Sequence, residues 1–409
     1  MSSYIWTSEY VSPGHPDKIA DQISDTVLDA YLEVDQHAKV ACETLVKDQT
    51  VVVAGEISSS VPVSQQELER RIRACICAIG YDDDALRYNG NTCSIQFLLS
   101  RQSREINNAV VTEKGIAAGD QGIMFGYATR ETPTSMPLAI YLAKELITEA
   151  YGRVRKSHAL RPDMKSQVSL MYEGSRAVAV DSILLSTCHA ESLTLSDVEE
   201  LVREEVIKSV IARQPEHIQA LFTNDVRILV NPAGTWNIGG PVSDCGLTGR
   251  KIVVDQYGAD CEIGGGAFSG KDPSKVDRSA AYMARHLALH TLSQHEEAQR
   301  VKVQLAYAIG VAEPVSYRVF DPLTHAEYSL GSFTPQDLTP QSIIDMLKLQ
   351  APIYAVTARD GHFGRSYYSE AGREFYTWER GWEMTKYEGR VTELQNYRIT
   401  ELQNYRVTE

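Results

Sequence analysis

One order of elements returns along this chain and limits what it can fold into. Strand-like runs at residues 40–46 and 51–57 lead to a helix opened by a Ser-Gln-Gln-Glu capping pattern at 64–67, which carries Leu68, Ile72 and Cys75 inward, and a strand follows at 93–99. The same order recurs with strands at 167–172 and 177–185, a helix at about 196–212 and a strand at 226–230. A third block offers a helix at 274–292, strands at 301–309 and 315–320, and a short helix at 343–349. This predicts three similar α+β units with mostly antiparallel sheets packed on helices. Ahead of them, Ile19, Ile23, Val27, Ala30, Tyr31 and Val34 recur at helical spacing while Asp21, Asp25 and Asp29 fall on another face, predicting an amphipathic helix from about Asp17.

Limits of 4–101, 115–232 and 235–372 are expected for the three units, with 373–409 as a peripheral tail. That tail repeats RVTELQNY as RITELQNY, a period of eight that suits neither a coiled-coil seam nor a stacking module. Gly-rich polar stretches at 102–122 and 231–272 separate the units, and such stretches are where sites and moving loops concentrate. A length of 409 residues with 43% hydrophobic content supports large cores, and the net charge of -14 argues against a general nucleic-acid or anionic-membrane surface. No run of 18 apolar residues and no apolar leader is seen, so the expected location is cytoplasmic. Seven scattered cysteines without a Cys-x-x-Cys pair suggest buried thiols in a reducing compartment, not disulfides or zinc. His286 and His290 stand four apart without a metalloprotease glutamate and read as structural.

Two segments suit an anion. Gly264-Gly-Gly-Ala-Phe-Ser-Gly-Lys271-Asp272 fits G-x-x-x-x-G-K from Gly265, but Asp272 stands where a P-loop needs Ser or Thr, and no apolar strand precedes it. The physics still favours phosphate, since glycines expose N–H groups, Lys271 supplies charge and a helix follows. A glycine-rich turn with a surface lysine is the plainer alternative. Lys271 and Lys275 sit among Asp272 and Asp277, two cations and two carboxylates suited to a polyphosphate and its magnesium, and Arg250-Lys251 lies upstream. The second segment, Ser12-Pro-Gly-His15-Pro-Asp17-Lys18, sets His, Asp and Lys at the start of the first long helix.

Six segments together, GHPDKIADQISD at 14–25, GDQGIMFGYAT at 119–129, RPDMKSQV at 161–168, IGGPVSDCGLTGRKIVVDQYG at 238–258, GGGAFSGKDPSKVDRSAAY at 264–282 and HFGR at 362–365, resemble in order the signatures of S-adenosylmethionine synthetases. The resemblance runs from about Thr7 to Arg365 and implies three α+β domains in pseudo-threefold arrangement. It implies a homo-oligomer, a dimer or a dimer of dimers, with active sites between subunits. The implied reaction joins L-methionine to ATP by sulfur attack on C5′, then hydrolyses the released triphosphate to phosphate and diphosphate. The implied cofactors are two Mg2+ per site and K+.

By the same resemblance His15, Lys165, Arg250 and Lys271 are catalytic. His15, Asp163, Lys165, Thr235, Trp236, Asp244, Arg250, Lys251, Ala267 and Lys271 match ATP contacts, and Glu56, Gln102, Asp120, Asp244 and Lys275 match positions near methionine. Asp17 and Asp277 match magnesium ligands, and Glu43 a potassium ligand. Gln102 opens the segment that resembles the family's mobile active-site loop. The chain departs at Thr235-Trp236, where the family commonly carries Arg-Phe, and at Gln102-Ser-Arg-Glu-Ile, where it usually shows Gln-Ser-Pro-Asp-Ile. Trp236 keeps an aromatic face for adenine, whereas Thr235 lacks the cation. A thioether carries no proton, so the implied reaction needs no general base and no nucleophile triad. Two rivals are a glycine-loop phosphotransferase or ATPase, which would turn over ATP without methionine, and a non-catalytic regulator that binds ATP or S-adenosylmethionine.

Overall fold

A computed structural model describes residues 3–101, 111–112, 115–153, 159–359 and 361–380. Gln102 and the repeat at 390–409 lie outside these residues, whereas 373–380, expected to belong to a peripheral tail, pack into the fold with Phe375, Tyr376 and Trp378 buried and Glu379 paired with Arg285.

The first helix, Pro16–Leu32, begins where Pro16 occupies its first turn and His15 caps it. It packs on the strand Lys39–Lys47, on the helix Gln65–Ile79 and on the short helix Tyr354–Arg359. Ile19, Ile23, Val27 and Ala30 are buried, as the apolar spacing predicts, whereas Tyr31 is half-buried and Val34 lies exposed beyond the helix end. The acidic stripe is not a solvent face, however. Asp21 and Asp25 are fully buried, and Asp29 accepts N–H bonds from Tyr354 (2.9 Å) and Ala355 (2.8 Å). A helix surrounded on all sides by protein has no polar face to give to water, so its charges must find partners inside.

Three sheets carry the fold. In one, Lys39–Lys47 and Thr50–Ser58 form an antiparallel hairpin, the helix Gln65–Ile79 crosses over, and Ser94–Ser100 adds parallel to the second strand. The capping pattern works as expected, with Ser64 Oγ accepting from Glu67 N–H. Another sheet repeats this plan: Leu160–Glu173 and Arg176–His189 pair antiparallel, a helical stretch covers Leu195–Leu201, a π-helical Val202–Ile207 and Lys208–Ala212, and Arg227–Val230 adds parallel. The third sheet orders Ser316–Phe320, Arg300–Tyr307 and Gly122–Thr129, all antiparallel, under the helix Val276–Gln294. The architecture is therefore α+β with mixed, mostly antiparallel sheets.

The sheets cross the sequence blocks. The strand Ser3–Val11 pairs with Leu160–Glu173, Gly122–Thr129 joins the third sheet, and Gly246–Leu247 extends the first hairpin. The strands Ser3–Val11 and Gly122–Thr129 and the apolar helix Leu138–Gly152 complete the order read from sequence. Among the described residues no helix is long and apolar enough to cross a membrane.

Candidate active site

The Ser12–His15 turn is stapled to the strand that carries Asp163 and Lys165. Ser12 Oγ donates to Pro162 O (2.6 Å) and accepts from Met164 N–H (2.9 Å), while Tyr81 Oη donates to Gly14 O (2.8 Å). Only glycine fits at 14, because a Cβ there would lie 2.4 Å from Pro162 Cβ and Pro162 O. His15 is thereby fixed and buried, and its Nδ1 accepts from Asp17 N–H (3.2 Å). A nitrogen that accepts carries no proton, so Nε2 bears the N–H. Burial, with Lys251 and Lys165 nearby, brings the His15 pKa down to about 3, and the ring is a neutral donor.

Asp17 gathers the cations. Its buried carboxylate pairs with Lys251 Nζ (2.5 Å), stands 3.6 Å from Arg250 Nε and accepts from Leu247 N–H (3.0 Å). Burial alone would raise its pKa; the hydrogen bonds from Lys251 and Leu247 outweigh it and hold the carboxyl below its ordinary value. Asp163 is nearly fully buried, with Oδ2 accepting from Gly240 N–H (2.8 Å) and Oδ1 left without a partner. Burial pushes its pKa up to about 7, although Gly240 N–H and Lys165 pull the other way. Lys165, Asp244 and Arg250 are exposed, with Arg250 Nη1 donating to Cys245 O (3.4 Å). His15, Asp17, Asp163, Lys165, Asp244, Arg250 and Lys251 thus form one group joined by contact or electrostatic influence.

The glycine cluster forms a second group. Gly270 has φ +79 and a Cβ there would lie 1.8 Å from Cys42 O, so this turn requires glycine. Its carbonyl accepts from Cys42 N–H, and Lys271 bridges to Ala41. Lys271 Nζ pairs with Asp277 Oδ2 (2.6 Å). Asp272, the residue that breaks the P-loop pattern, is a buried tie: it accepts from Val40 N–H (2.8 Å), Ser274 N–H (3.0 Å) and Ser274 Oγ (2.6 Å), and pairs with Lys275. Lys275 stands at the N-cap position of the helix Val276–Gln294 without a side-chain capping bond. Ala267 faces Gly249, where a Cβ would come within 2.7 Å of its own, and this contact links the cluster to the Arg250 segment.

Other expected residues stand apart from the His15 group. Ala41 opposes Glu56 in the hairpin and Lys271 across the bridge, so those three share a face, and Glu43 falls on it by strand alternation. Glu43, Glu56 and Asp120 are exposed. Among the described residues no hydrogen bond or ion pair joins their side chains to the His15 group. Trp236 is held on its own loop, its indole N–H donating to Ile238 O (2.8 Å) and its backbone paired with His189, beside an exposed Thr235. Gln102 lies outside the described residues.

Sequence reasoning missed the support beneath these groups. Lys18 is buried between Asp255 (2.6 Å) and Asp21 (3.2 Å), and Asp21 accepts from Gly249 N–H (2.9 Å) just before Arg250. Asp25 and Arg278 form a bidentate pair below the glycine cluster. The signal was the stripe itself, since three acids and a lysine in a helix apolar on its remaining positions need internal partners. His286, read as structural, has Nδ1 3.1 Å from Trp378 O.

Family models for the N-terminal, central and C-terminal domains of S-adenosylmethionine synthetase match residues 3–104, 115–236 and 238–380. The chain belongs to the S-adenosylmethionine synthetase family. All three domains are present in order, so its activity is that of a methionine adenosyltransferase (EC 2.5.1.6), which forms S-adenosylmethionine from ATP and L-methionine.

Proposed function

We propose that the His15 group receives the polyphosphate of ATP and stabilises the charge that leaves C5′ as the methionine sulfur attacks. The observation that carries this reading is a neutral imidazole, fixed by its own helix start, near Lys165, Arg250 and Lys251, the last two of which pair with one buried carboxylate. A leaving triphosphate carries about four negative charges, and preorganised donors aimed at developing charge are the strongest aid to such a step. His15 donates Nε2–H to the departing oxygen, while Lys165, Arg250 and Lys271 meet the phosphoryl oxygens. The sulfur needs alignment and no base. The same cations then hold the triphosphate while it is hydrolysed to phosphate and diphosphate.

ATP is assigned further contacts at Asp163, Thr235, Trp236, Asp244, Lys251 and Ala267, with the Trp236 ring as a platform for adenine. Methionine is assigned to Glu56, Asp120, Asp244, Lys275 and Gln102. Active sites completed between subunits of a homodimer or a dimer of dimers are assigned from family membership. Domain limits of 4–101, 115–232 and 235–372 and a cytoplasmic location complete the reading.

The residues present fit magnesium. Asp17 and Asp277 offer hard carboxylate oxygens, each beside lysines, and Gly266 leaves the space where a Cβ would lie 2.2 Å from Asp277 Oδ1. Among the described residues no group of three or more His, Cys, Asp or Glu could hold a metal alone, which suits an ion that takes one or two carboxylates and relies on substrate phosphates. Two Mg2+ ions bound there would neutralise phosphate charge. Glu43 offers a single exposed carboxylate as the proposed K+ ligand, the remaining oxygens coming from elsewhere.

The test is rapid-quench single turnover of ATP and methionine by Lys165→Ala and Arg250→Ala variants. Each is expected to slow S-adenosylmethionine formation by about ten- to a hundred-fold, the loss typical of a charge-assisted contact. Unchanged single-turnover rates in both would overturn the assignment.

A further inference from the structure

The peptide that carries Lys271 is held from below by a buried pair whose parts lie more than two hundred residues apart. Asp25 Oδ1 accepts from Gly270 N–H at 2.8 Å and from Arg278 Nη1 at 2.7 Å, and Asp25 Oδ2 accepts from Arg278 Nη2 at 2.7 Å. Arg278 Nη1 also donates to Lys271 O at 3.1 Å. The pair therefore grips the N–H before Lys271 and the carbonyl after it. Its own setting leaves Arg278 little freedom: Nε donates to Tyr282 Oη (3.1 Å), the guanidinium lies 4.1 Å from the centre of the Tyr354 ring, and Arg278 and Asp25 are 0% exposed.

The surroundings of Lys271 bring both of its ends close to this pair. The side chain of Lys271 reaches Asp277, one residue before Arg278, so both ends of the lysine are set by the start of the same helix. Gly270, which the Asp25 carboxylate receives, is the turn that steric contact with Cys42 O already restricts to glycine. A planar five-donor fork can bridge a carboxylate and a carbonyl at once, and a lysine ammonium at 278 would keep the charge without that geometry.

We propose that Arg278, acting with Asp25, is a positioning residue for Lys271, and that its contribution to the rate passes through that lysine. This rests on the assignment of Lys271 to the phosphoryl oxygens of ATP. A displacement of about 1 Å at a charge-stabilising group can cost up to about a hundredfold in rate, so a loosened grip is felt in kcat. The effect on the KM for methionine is small.

A double-mutant cycle tests it, with rates from single turnover and folding followed by near-UV circular dichroism. Lys271→Ala, Arg278→Lys and the double variant are compared with the unaltered protein. Arg278→Lys alone is expected to lower the rate of S-adenosylmethionine formation by about tenfold or more, and to lower it no further when Lys271 is already alanine. Should Arg278→Lys fail to fold, Asp25→Asn with Arg278→Met removes both charges, leaves no lone buried ion and is put through the same cycle. An equal loss in both backgrounds overturns the proposal and leaves Arg278 a general structural residue. A normal rate in Lys271→Ala overturns the assignment of Lys271 on which the proposal rests, which is a separate failure.

Discussion

His15 concentrates most of the chemistry of its turn in one N–H. His15→Ala is expected to slow S-adenosylmethionine formation by about tenfold or more in single turnover, since a donor to developing charge is lost. The fold survives, because the lost helix cap costs only about 1 kcal/mol; an unchanged rate would refute the assigned role. Asp260 carries a different prediction, for stability. Burial and the neighbouring Glu131 push its pKa up to about 7 against the pull of Arg300, and its Oδ2 has no hydrogen-bond partner. The folded protein keeps this proton to about pH 7, whereas an unfolded chain releases it near the ordinary value of 3.8. Asp260 therefore favours the folded state least at high pH, and stability falls as pH rises from about 4 to 7. Urea unfolding across that range should show a shallower fall in Asp260→Asn than in the unaltered chain; identical slopes would remove Asp260 as the cause.

At the scale of elements, the Ser12–His15 turn and the first helix act as a locating piece for the site. Gly14→Ala is expected to destabilise the protein by about 1–3 kcal/mol, because the added methyl meets Pro162 atoms that cannot yield. It should also slow turnover by shifting His15 from Lys165, measured as a rate per folded molecule; full activity would show that the staple does not set the site. Much here was legible from sequence. The hairpins, the crossover helices and the Ser64 cap follow from alternation, helical spacing and turn chemistry, and the long motifs supplied the candidate site residues. The acidic stripe at Asp21, Asp25 and Asp29 was misread, because spacing shows which residues share a face but not whether water or another segment covers it. Their partners, Gly249, Gly270 and Tyr354, lie more than two hundred residues away. Asp272 was similarly opaque: as a mismatch in a phosphate motif it said only what it was not, while its hydrogen bonds show a tie between Val40 and the start of a helix.

For the whole molecule, the sheets and buried charges bind the sequence blocks into one structure. Ser3–Val11 completes the central sheet, Gly122–Thr129 completes the third, and the first helix finds partners for its acids beyond residue 240. A fragment of residues 1–101 would lack Arg278 as the partner of Asp25 and is expected to show no cooperative urea transition, in contrast to the full chain. A stable, cooperative fragment would contradict that interdependence. The most direct test of the central claim is mass-spectrometric product analysis after mixing the protein with ATP, methionine, magnesium and potassium, with methionine omitted from a parallel tube. The structure and its family predict S-adenosylmethionine with matching phosphate and diphosphate in the complete mixture alone; no sulfonium product, or equal consumption of ATP in both tubes, would contradict it.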